Sequence, residues 1–232
     1  MGNIIDREKE CAVISTLMSQ RKNIIIFGEE GTGKTAIIHK VLSDFVGLNI
    51  FFSAQSKTLK ETLFNFILHT SGDKKISQSL NILDLKKLFY SLLERNKPQY
   101  IIFDHVENVE PKFYSFFVYL MEEKFPLIVL CRGLEKKDIG NLRMSLFNFE
   151  KVEISNFDKP SAYLLIDHFI KEFGIKITKE EDFKKQIFYF SKGNPKIIEQ
   201  LCFLARDVKY KKNETIDVRL IDLDRRINEV VH

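Results

Sequence analysis

The sequence predicts an α/β protein, with a parallel five-stranded sheet between helices and a small helical subdomain after it. Up to residue 154, short unbroken apolar runs alternate with segments whose apolar residues recur at helical spacing. Unbroken apolar runs suit strands that are covered on both faces, as in a parallel sheet between helix layers. After Ile154 only helical patterns follow, and a run of helices at this point indicates a separate subdomain.

Each predicted element of the first part has its own apolar pattern. The expected strands are Asn23–Phe27, Leu48–Phe52, Tyr100–Phe103, Leu127–Leu130 and Val152–Ile154. The helices expected between them are Thr35–Phe45, Leu59–His69, Leu83–Glu94 and Lys112–Glu123. The polar stretch Thr70–Asn81 is expected to form a surface loop.

Capping signals divide the C-terminal part into successive helices. The expected helix starts are Asp158 with Pro160, the capping box Thr178–Glu181, the break Gly193–Pro195 and the cap Asp217. Gly174 ends the first of these helices, the third is expected to end near Val208, and the fourth near Val231. We therefore expect two domains, with residues 1–156 forming a core and residues 157–232 a helical subdomain.

The composition supports a well-buried fold and bears on several protein classes. Apolar residues make up 44% of the 232 residues, which is ample for a core. The net charge of +4 permits contact with nucleic acid without arguing for it. Cys11, Cys131 and Cys202 lie in apolar surroundings without metal-type spacing, as expected of reduced packing residues. No apolar stretch approaches a membrane span and the acidic N-terminus is unlike a signal peptide, so we expect a cytoplasmic protein without membrane contact.

Residues 28–35 form a complete G-x-x-x-x-G-K-[ST] phosphate-binding motif. Its residues are Gly28, Glu29, Glu30, Gly31, Thr32, Gly33, Lys34 and Thr35, and Ala36 follows them in the expected helix. The glycines let backbone N–H groups converge on phosphate oxygens at the positive end of that helix. Lys34 would reach the terminal phosphates, and the Thr35 hydroxyl would hold Mg²⁺. A chance match in a flexible turn is the alternative, but the strand–loop–helix context favours nucleoside triphosphate binding.

A carboxylate follows the predicted strand Tyr100–Phe103. Asp104 is the first residue after this strand, at the sheet edge where open α/β folds bind ligands. Its side chain can accept hydrogen bonds from Mg²⁺-bound water, with Thr35 as the other metal contact. Many strands simply end in a solvated acid, and in isolation that alternative would be preferred. The phosphate-binding motif upstream makes Asp104 a predicted Walker B aspartate.

In this arrangement the chain resembles the AAA+-related group of P-loop NTPases that contains archaeal-type ATPases, STAND signalling ATPases and origin-recognition-like initiator ATPases. Three segments carry the resemblance besides the two Walker motifs. Ile5–Glu10 is similar to the group's opening segment, Pro126–Arg132 to its sensor 1 strand, and Ser191–Lys196 to the GxP turn of its helical lid. The resemblance implies a P-loop NTPase fold with a C-terminal lid, and ATP and Mg²⁺ as cofactors.

The resemblance also implies roles for individual residues. The backbone around Ile5 and Arg7 would border the adenine base, and Pro195 would pack near it. Arg132 would lie near the γ-phosphate and sense hydrolysis, while Lys196 takes the place of the lid's basic sensor 2 residue. Alternatives stay open, because Arg7 and Lys196 could be solvated surface charges and Pro195 fits any helix start.

One position departs from the pattern of this group. Many active relatives carry Glu directly after the Walker B Asp, where it orients the attacking water, and here His105 stands there. Glu107, two residues further on, is the remaining carboxylate for that task, so we expect secure binding and slow hydrolysis. The resemblance further implies self-association in which an arginine completes a neighbour's site, and Arg143 is the candidate.

These features predict an ATPase that uses ATP binding and slow hydrolysis to switch conformation or assembly. One alternative is an ATP-binding module that holds a protein partner with little turnover, motivated by His105. The other is a DNA-associated AAA+ ATPase, such as an initiator, a loader or a transposition accessory. Its basic candidates, equally compatible with a solvated tail, are Lys209, Lys211, Lys212, Arg219, Arg225 and Arg226.

Initiator and STAND relatives usually carry an effector module beyond the lid, often a DNA-binding winged helix. The sequence ends at His232, where the lid is expected to end. Two expectations therefore stand side by side: the natural protein lacks the module, or the chain is an excised fragment.

Overall fold

The computed structural model describes residues 5–45, 47–56, 58–71, 80–107, 109–212 and 215–231. Their contacts divide the chain into two compact units. The core unit comprises Arg7–Gly28 and Lys34–Ile154, and the helical unit comprises Met1–Asp6, Glu29–Gly33 and Ser155–His232. The loop predicted at Thr70–Asn81 falls mostly on residues 72–79, which lie outside the described residues.

The core unit is built on a five-stranded sheet in which every pairing is parallel, which confirms the predicted fold class. The strands β1 to β5 are Ile24–Phe27, Ile50–Ser53, Tyr100–Phe103, Leu127–Cys131 and Glu150–Glu153. Their order in the sheet is β2-β3-β4-β1-β5, so β1 lies between β4 and β5. Every residue of β3 and β4 is buried, as expected of strands covered on both faces.

Helices connect these strands along the described part of the core unit. They are α1 Glu8–Ser19, α2 Lys34–Asp44, α3 Leu59–Ser71, α4 Ile82–Asn96, α5 Pro111–Glu122 and α6 Lys136–Ile139, followed by a 3₁₀ turn at Gly140–Arg143. α1 has no counterpart among the predicted helices, because only Ile14 and Met18 of its 12 residues are buried and so thin a stripe gives weak periodicity.

Aromatic rings pack the helices of the core unit onto β2 and β3. Phe66 of α3 meets Phe103 of β3 edge-on, with ring centroids 5.2 Å apart. Phe89 of α4 lies 5.3 Å from Phe116 of α5 in the same manner. Edge-to-face pairs add to the stabilisation from area burial. The packing therefore fixes the strand β3, whose end carries Asp104.

The helical unit contains α7 Lys159–Glu172, α8 Glu180–Ser191, α9 Pro195–Leu204 and α10 Val218–Val231. A 3₁₀ turn at Val208–Tyr210 and an antiparallel pair of short strands, β6 Lys211–Lys212 and β7 Thr215–Ile216, lie between α9 and α10. Two-residue strands are too short to produce a sequence period, so they were not predictable from apolar spacing. No helix in the described ranges is long and apolar enough to cross a bilayer.

Side-chain caps set the starts of three of these helices. The Oδ1 atoms of Asp158, Asn194 and Asp217 accept hydrogen bonds from backbone N–H groups of the following turns at 3.0, 3.3 and 3.1 Å. All three caps agree with predicted helix starts. The capping box predicted from Thr178 is wrong, because Lys179 is the N-cap of α8.

Several boundaries differ from the prediction by two residues or more, and two of these differences have a clear local reason. β5 begins at Glu150 rather than Val152, because this edge strand buries a single side chain and lacks an apolar run. α9 ends before the predicted Val208, because the Asp207 carboxylate accepts a hydrogen bond from the Lys209 N–H at 3.0 Å and caps a 3₁₀ turn instead.

Gly193 lies where two backbone segments of the helical unit touch. The Phe157 N–H donates to the Gly193 carbonyl oxygen at 2.9 Å. Gly193 has φ +76°, and a Cβ added to it would overlap the Phe157 carbonyl oxygen. This position therefore requires glycine on both conformational and steric grounds.

We expect Gly193→Ala to lower the free energy of unfolding by about 3 kcal/mol, since the left-handed backbone and the clash both add to its cost. Gly174→Ala is the matched control, because Gly174 has φ +61° but its added Cβ meets open space within the described chain. That variant should lose only about 1 kcal/mol. Urea denaturation measures both losses, and equal losses would contradict the steric account.

Candidate functional site

The two ends of the phosphate-binding motif lie in the core unit. β1 ends at Phe27, Gly28 follows it, and α2 begins at Lys34. Lys34 is only 3% exposed, and its Nζ donates a hydrogen bond to the Gly28 carbonyl oxygen at 2.7 Å. A buried ammonium needs such partners. The fold thus holds in place a cation whose charge suits phosphate oxygens.

The Thr35 hydroxyl and the Asp104 carboxylate face each other. Thr35 Oγ1 lies 3.0 Å from one carboxylate oxygen and 3.2 Å from the other. Asp104 is fixed because its N–H extends the β2–β3 ladder and donates to the Ser53 carbonyl oxygen at 2.9 Å. A hydroxyl and a carboxylate are hard oxygen donors, so these residues fit Mg²⁺. A magnesium ion held by them would neutralise phosphate charge.

Glu107 and Arg132, predicted from separate segments, form an ion pair in the core unit. Arg132 Nε lies 3.3 Å from Glu107 Oε1, and both side chains are about half exposed. Exposed pairs contribute little stability, so either group can take a new partner at small cost. His105 Nδ1 lies 3.4 Å from Asp104 Oδ1, and a φ of +57° turns the backbone sharply at this histidine.

A cavity of about 310 Å³ opens at the carboxyl ends of β2 and β3. Its polar wall includes Ser53, Gln55, Asp104, His105 and Glu107. Parallel α/β sheets bind ligands at this edge. The cavity has room for several water molecules next to the Asp104 carboxylate.

The middle of the motif, Glu29–Gly33, belongs to the helical unit. Gly31 and Gly33 have φ values of +81° and +95°, a conformation that glycine adopts without steric cost. Thr32 is buried, and its hydroxyl donates to the Glu29 carbonyl oxygen at 2.9 Å. The Thr32 hydroxyl and the positive φ values of the two glycines therefore close the segment into a tight loop.

Three side chains hold this loop, and two of them, Asn194 and Asn156, were not predicted from the sequence as site residues. Asn194 Nδ2 donates to the Glu30 carbonyl oxygen at 2.8 Å, and Asn156 Nδ2 donates to the Glu29 carboxylate at 3.1 Å. Lys196 Nζ forms an ion pair with Glu30 Oε1 at 2.9 Å. From the sequence, Asn194 was predicted to lie at a helix start, in the segment similar to the GxP turn, and no contact was predicted for its side chain. Its contact with Glu30 joins positions 164 residues apart, which no local pattern reveals.

The remaining predicted site residues are distributed over both units. Ile5 packs against the apolar cluster of the helical unit, where Pro195 is also the first residue of α9. Arg7 is buried in the core unit, where its guanidinium pairs at 2.7 Å with a carboxylate of α1, so it is not a solvated charge. Ala36 lies in the first turn of α2, and Arg143 is exposed at the end of the 3₁₀ turn after α6.

Two cysteines are chemically quiet. Burial raises the pKa of Cys131, at the end of β4, to about 12, and burial does the same for Cys202 in α9. A thiol with such a pKa is neutral at physiological pH and is a poor nucleophile. These two thiols are therefore unsuited to thiolate chemistry.

Family membership follows from the N-terminal part of the sequence. The profile of the AAA domain family matches residues 17–137, just over half of the chain. The chain belongs to the AAA domain family. The match contains the phosphate-binding motif, Asp104 and the strands β1 to β4 of this AAA domain. No curated protein matches the chain.

Solved ATPase structures share the fold of this AAA domain protein. Cdc6p from Pyrobaculum aerophilum aligns with 89% of the chain at a TM-score of 0.66 and 13% identity, and the chain spans 62% of that structure. A Walker-type ATPase of Pyrococcus abyssi aligns with 98% of the chain, which covers 74% of it, at a TM-score of 0.65 and 13% identity. RuvB, the Holliday junction branch migration motor of Thermotoga maritima, aligns with 96% of the chain, which covers 70% of it, at a TM-score of 0.60 and 14% identity. These likenesses confirm the P-loop NTPase fold of this AAA domain protein.

We expect Thr35→Val to abolish the contribution of Mg²⁺ to nucleotide affinity, because the variant keeps the shape of the side chain and loses the hydroxyl that faces Asp104. ATP affinity in the presence of Mg²⁺ should fall on the order of tenfold, or about 1.4 kcal/mol, while affinity in EDTA stays unchanged. Thr35→Ser retains the hydroxyl and serves as the control. Fluorescence anisotropy of a labelled ATP measures all of these affinities, and an unaltered Mg²⁺ effect in Thr35→Val would refute the metal assignment.

Proposed function

We propose that this AAA domain protein is a Mg²⁺-dependent ATPase that uses ATP binding and slow hydrolysis to switch its conformation or assembly. The Thr35–Asp104 pair, 3.0 Å apart, carries the proposal. Thr35 directly follows Lys34, whose ammonium donates a hydrogen bond to the carbonyl oxygen of Gly28, the first glycine of the motif. A fixed cation and a pair of metal ligands are the parts from which phosphoryl transfer is built. In this proposal residues 1–156 form the ATPase core and residues 157–232 the lid.

The site residues of the core unit have distinct tasks in the proposed reaction. Lys34 binds the β- and γ-phosphates, while Thr35 and Asp104 hold the metal. Arg132 lies near the γ-phosphate and senses hydrolysis. Glu107, released from its weak pair with Arg132, orients the attacking water beside the cavity at β2 and β3.

The rest of the nucleotide is assigned to backbone and apolar groups. Backbone N–H groups of residues 28–36 surround the phosphates at the start of α2. The segment around Ile5 and Arg7 borders the adenine base together with Pro195. The resemblance to archaeal-type, STAND and initiator ATPases supports these roles, and Lys196 is the basic residue of the helical unit that influences the phosphates.

Slow turnover follows from the residue after Asp104. His105 occupies the place where a water-orienting carboxylate would follow directly, and Glu107 lies two residues further along the chain. The same observation supports the alternative of a protein-binding module that holds ATP with little turnover. Release of phosphate under multiple-turnover conditions distinguishes the two, since such a module would bind ATP tightly without releasing phosphate.

The charge pattern of α10 favours the switch over a DNA-associated ATPase. Arg225 is only 8% exposed and pairs with Asp222 at 2.8 Å, and Arg226 Nε pairs with the same carboxylate at 2.8 Å. Lys209 likewise bonds Asp224 at 3.1 Å. Arg225 is therefore buried within the helical unit, and the acidic partners of Arg226 and Lys209 lower the net positive charge there, which weakens any surface for a phosphate backbone.

We expect Lys34→Ala to weaken ATP binding on the order of 100-fold, or about 2.7 kcal/mol, because it removes a charge-assisted contact to the phosphates. Lys40→Ala is the matched control on α2, since Lys40 is half exposed and pairs with Asp44. Isothermal titration with ATP·Mg²⁺ and a phosphate-release assay compare the variants. Wild-type affinity and turnover in a folded Lys34→Ala variant would end the proposal.

We expect ATPase activity per molecule to rise with protein concentration, because the exposed Arg143 completes the site of a neighbouring subunit. Arg143→Ala should lower this activity at least about tenfold and leave ATP affinity unchanged. Lys87→Ala, an exposed position on α4, serves as the control. Activity that stays flat over a wide concentration range, with a monomer throughout by light scattering, would instead assign the charge stabilisation to Arg132.

A further inference from the structure

The side chain of Asn194 joins the start of α9 to the phosphate loop, and both lie within the helical unit. Asn194 is only 5% exposed. Its Nδ2 donates to the Glu30 carbonyl oxygen at 2.8 Å and to Asn156 Oδ1 at 3.1 Å. Its Oδ1 accepts the N–H of Ile197 at 3.3 Å and caps α9. Since both ends of the amide are engaged, the loop and the helix start share one rigid connection.

The next loop residue is anchored through the backbone of α9. The Lys196 N–H donates to the Gly31 carbonyl oxygen at 3.2 Å. This N–H belongs to the first turn of α9, where helix geometry offers it no acceptor. A Cβ added to Gly31 would lie 2.6 Å from Asn194 Oδ1 and 2.7 Å from Lys196 Cβ. The contact is therefore close enough to require glycine at position 31.

These two anchors also orient the N–H groups of the loop. A trans peptide unit directs its carbonyl and its N–H to opposite sides. Holding the carbonyl oxygens of Glu30 and Gly31 against α9 therefore directs the N–H groups of Gly31 and Thr32 away from α9. The Thr32 N–H also donates to the Glu29 carbonyl oxygen within the loop, at 3.4 Å. A phosphate loop works by presenting such N–H groups to its ligand.

Lys196 compensates a charge that opposes the proposed ligand. Glu30 lies inside a motif that binds polyphosphate, so its carboxylate repels the phosphates. Lys196 Nζ lies 2.9 Å from Glu30 Oε1, with both side chains about half exposed. The ammonium is thus engaged with the loop itself.

We propose that the start of α9 is a clamp on the phosphate loop: Asn194 is a positioning residue that fixes the loop for nucleotide binding, and Lys196 acts on the nucleotide through Glu30 rather than by touching phosphate. The proposal rests on the proposed ATP binding and names the contact through which the helical unit senses it. A nucleotide that shifts the loop shifts Asn194 and the cap of α9 with it.

The role of Asn194 is tested with Asn194→Ser, which retains a capping oxygen but lacks the amide that reaches Glu30. Asn81→Ser is the matched control, because Asn81 caps α4 through Leu83 and Asp84 without belonging to the helical unit. We expect Asn194→Ser to weaken ATP·Mg²⁺ binding about tenfold and to speed amide hydrogen exchange of residues 28–35 in the nucleotide-free protein. Asn81→Ser should change neither quantity.

Unchanged loop exchange and ATP affinity in Asn194→Ser would overturn the clamp. The exchange measurement needs no nucleotide, so it decides the matter even for a protein that fails to bind ATP. Failure of the proposed function looks different, because the wild type and Lys34→Ala would then share the same negligible affinity.

The role of Lys196 is tested by a double-mutant cycle with Glu30→Gln. We expect Lys196→Ala to weaken ATP binding about fivefold, and Glu30→Gln combined with Lys196→Ala to restore wild-type affinity, since the carboxylate that repels the phosphates is gone. A double variant as weak as Lys196→Ala would show that Lys196 touches the phosphates directly, and would overturn this part of the proposal.

Discussion

Parallel pairing of the five strands is the constraint on which the other features of the core unit depend. Because all the strands run in one direction, their carboxyl ends meet at a single edge of the sheet. β4 separates β1 from β3, and Thr35 after β1 still reaches Asp104 after β3. A reversed β3 would carry its terminal aspartate to the opposite edge, about 13 Å away. The contact between Thr35 and Asp104, the proposed metal ligands, is therefore a consequence of topology, and aromatic packing on β3 holds Asp104 in place.

The phosphate loop of this protein balances attraction and repulsion. Glu29 and Glu30 place two carboxylates in the proposed phosphate-binding loop. Within the same unit, the Glu29 carboxylate accepts a hydrogen bond from Asn156, and the Glu30 carboxylate pairs with Lys196. The affinity of this loop for a phosphate ligand therefore depends on how well Asn156 and Lys196 offset the two carboxylates. If α9 clamps the loop as proposed, this dependence makes the loop sensitive to the state of α9, which is a property a switch needs.

Much of the fold was predictable because its signals are local. Apolar runs located β1, β3 and β4 to within one residue, and the motif glycines located the phosphate loop. β5 was displaced because Val152 is its only buried side chain, and an edge strand has no need of more. Lys34, Thr35 and Asp104 could be assigned roles from spacing alone. Asn156 and Asn194 could not, because a polar residue at a helix start looks the same whether its amide faces water or a loop far away in the sequence.

The central claim is that this AAA domain protein changes state with its nucleotide. Amide hydrogen exchange of the helical unit tests it most directly, with the protein saturated first with a slowly hydrolysed ATP analogue and then with ADP, both with Mg²⁺. We predict that α9 and the segments bonded to it exchange more slowly in the ATP-analogue state than in the ADP state. Identical exchange throughout residues 155–231 in the two saturated states would contradict the claim.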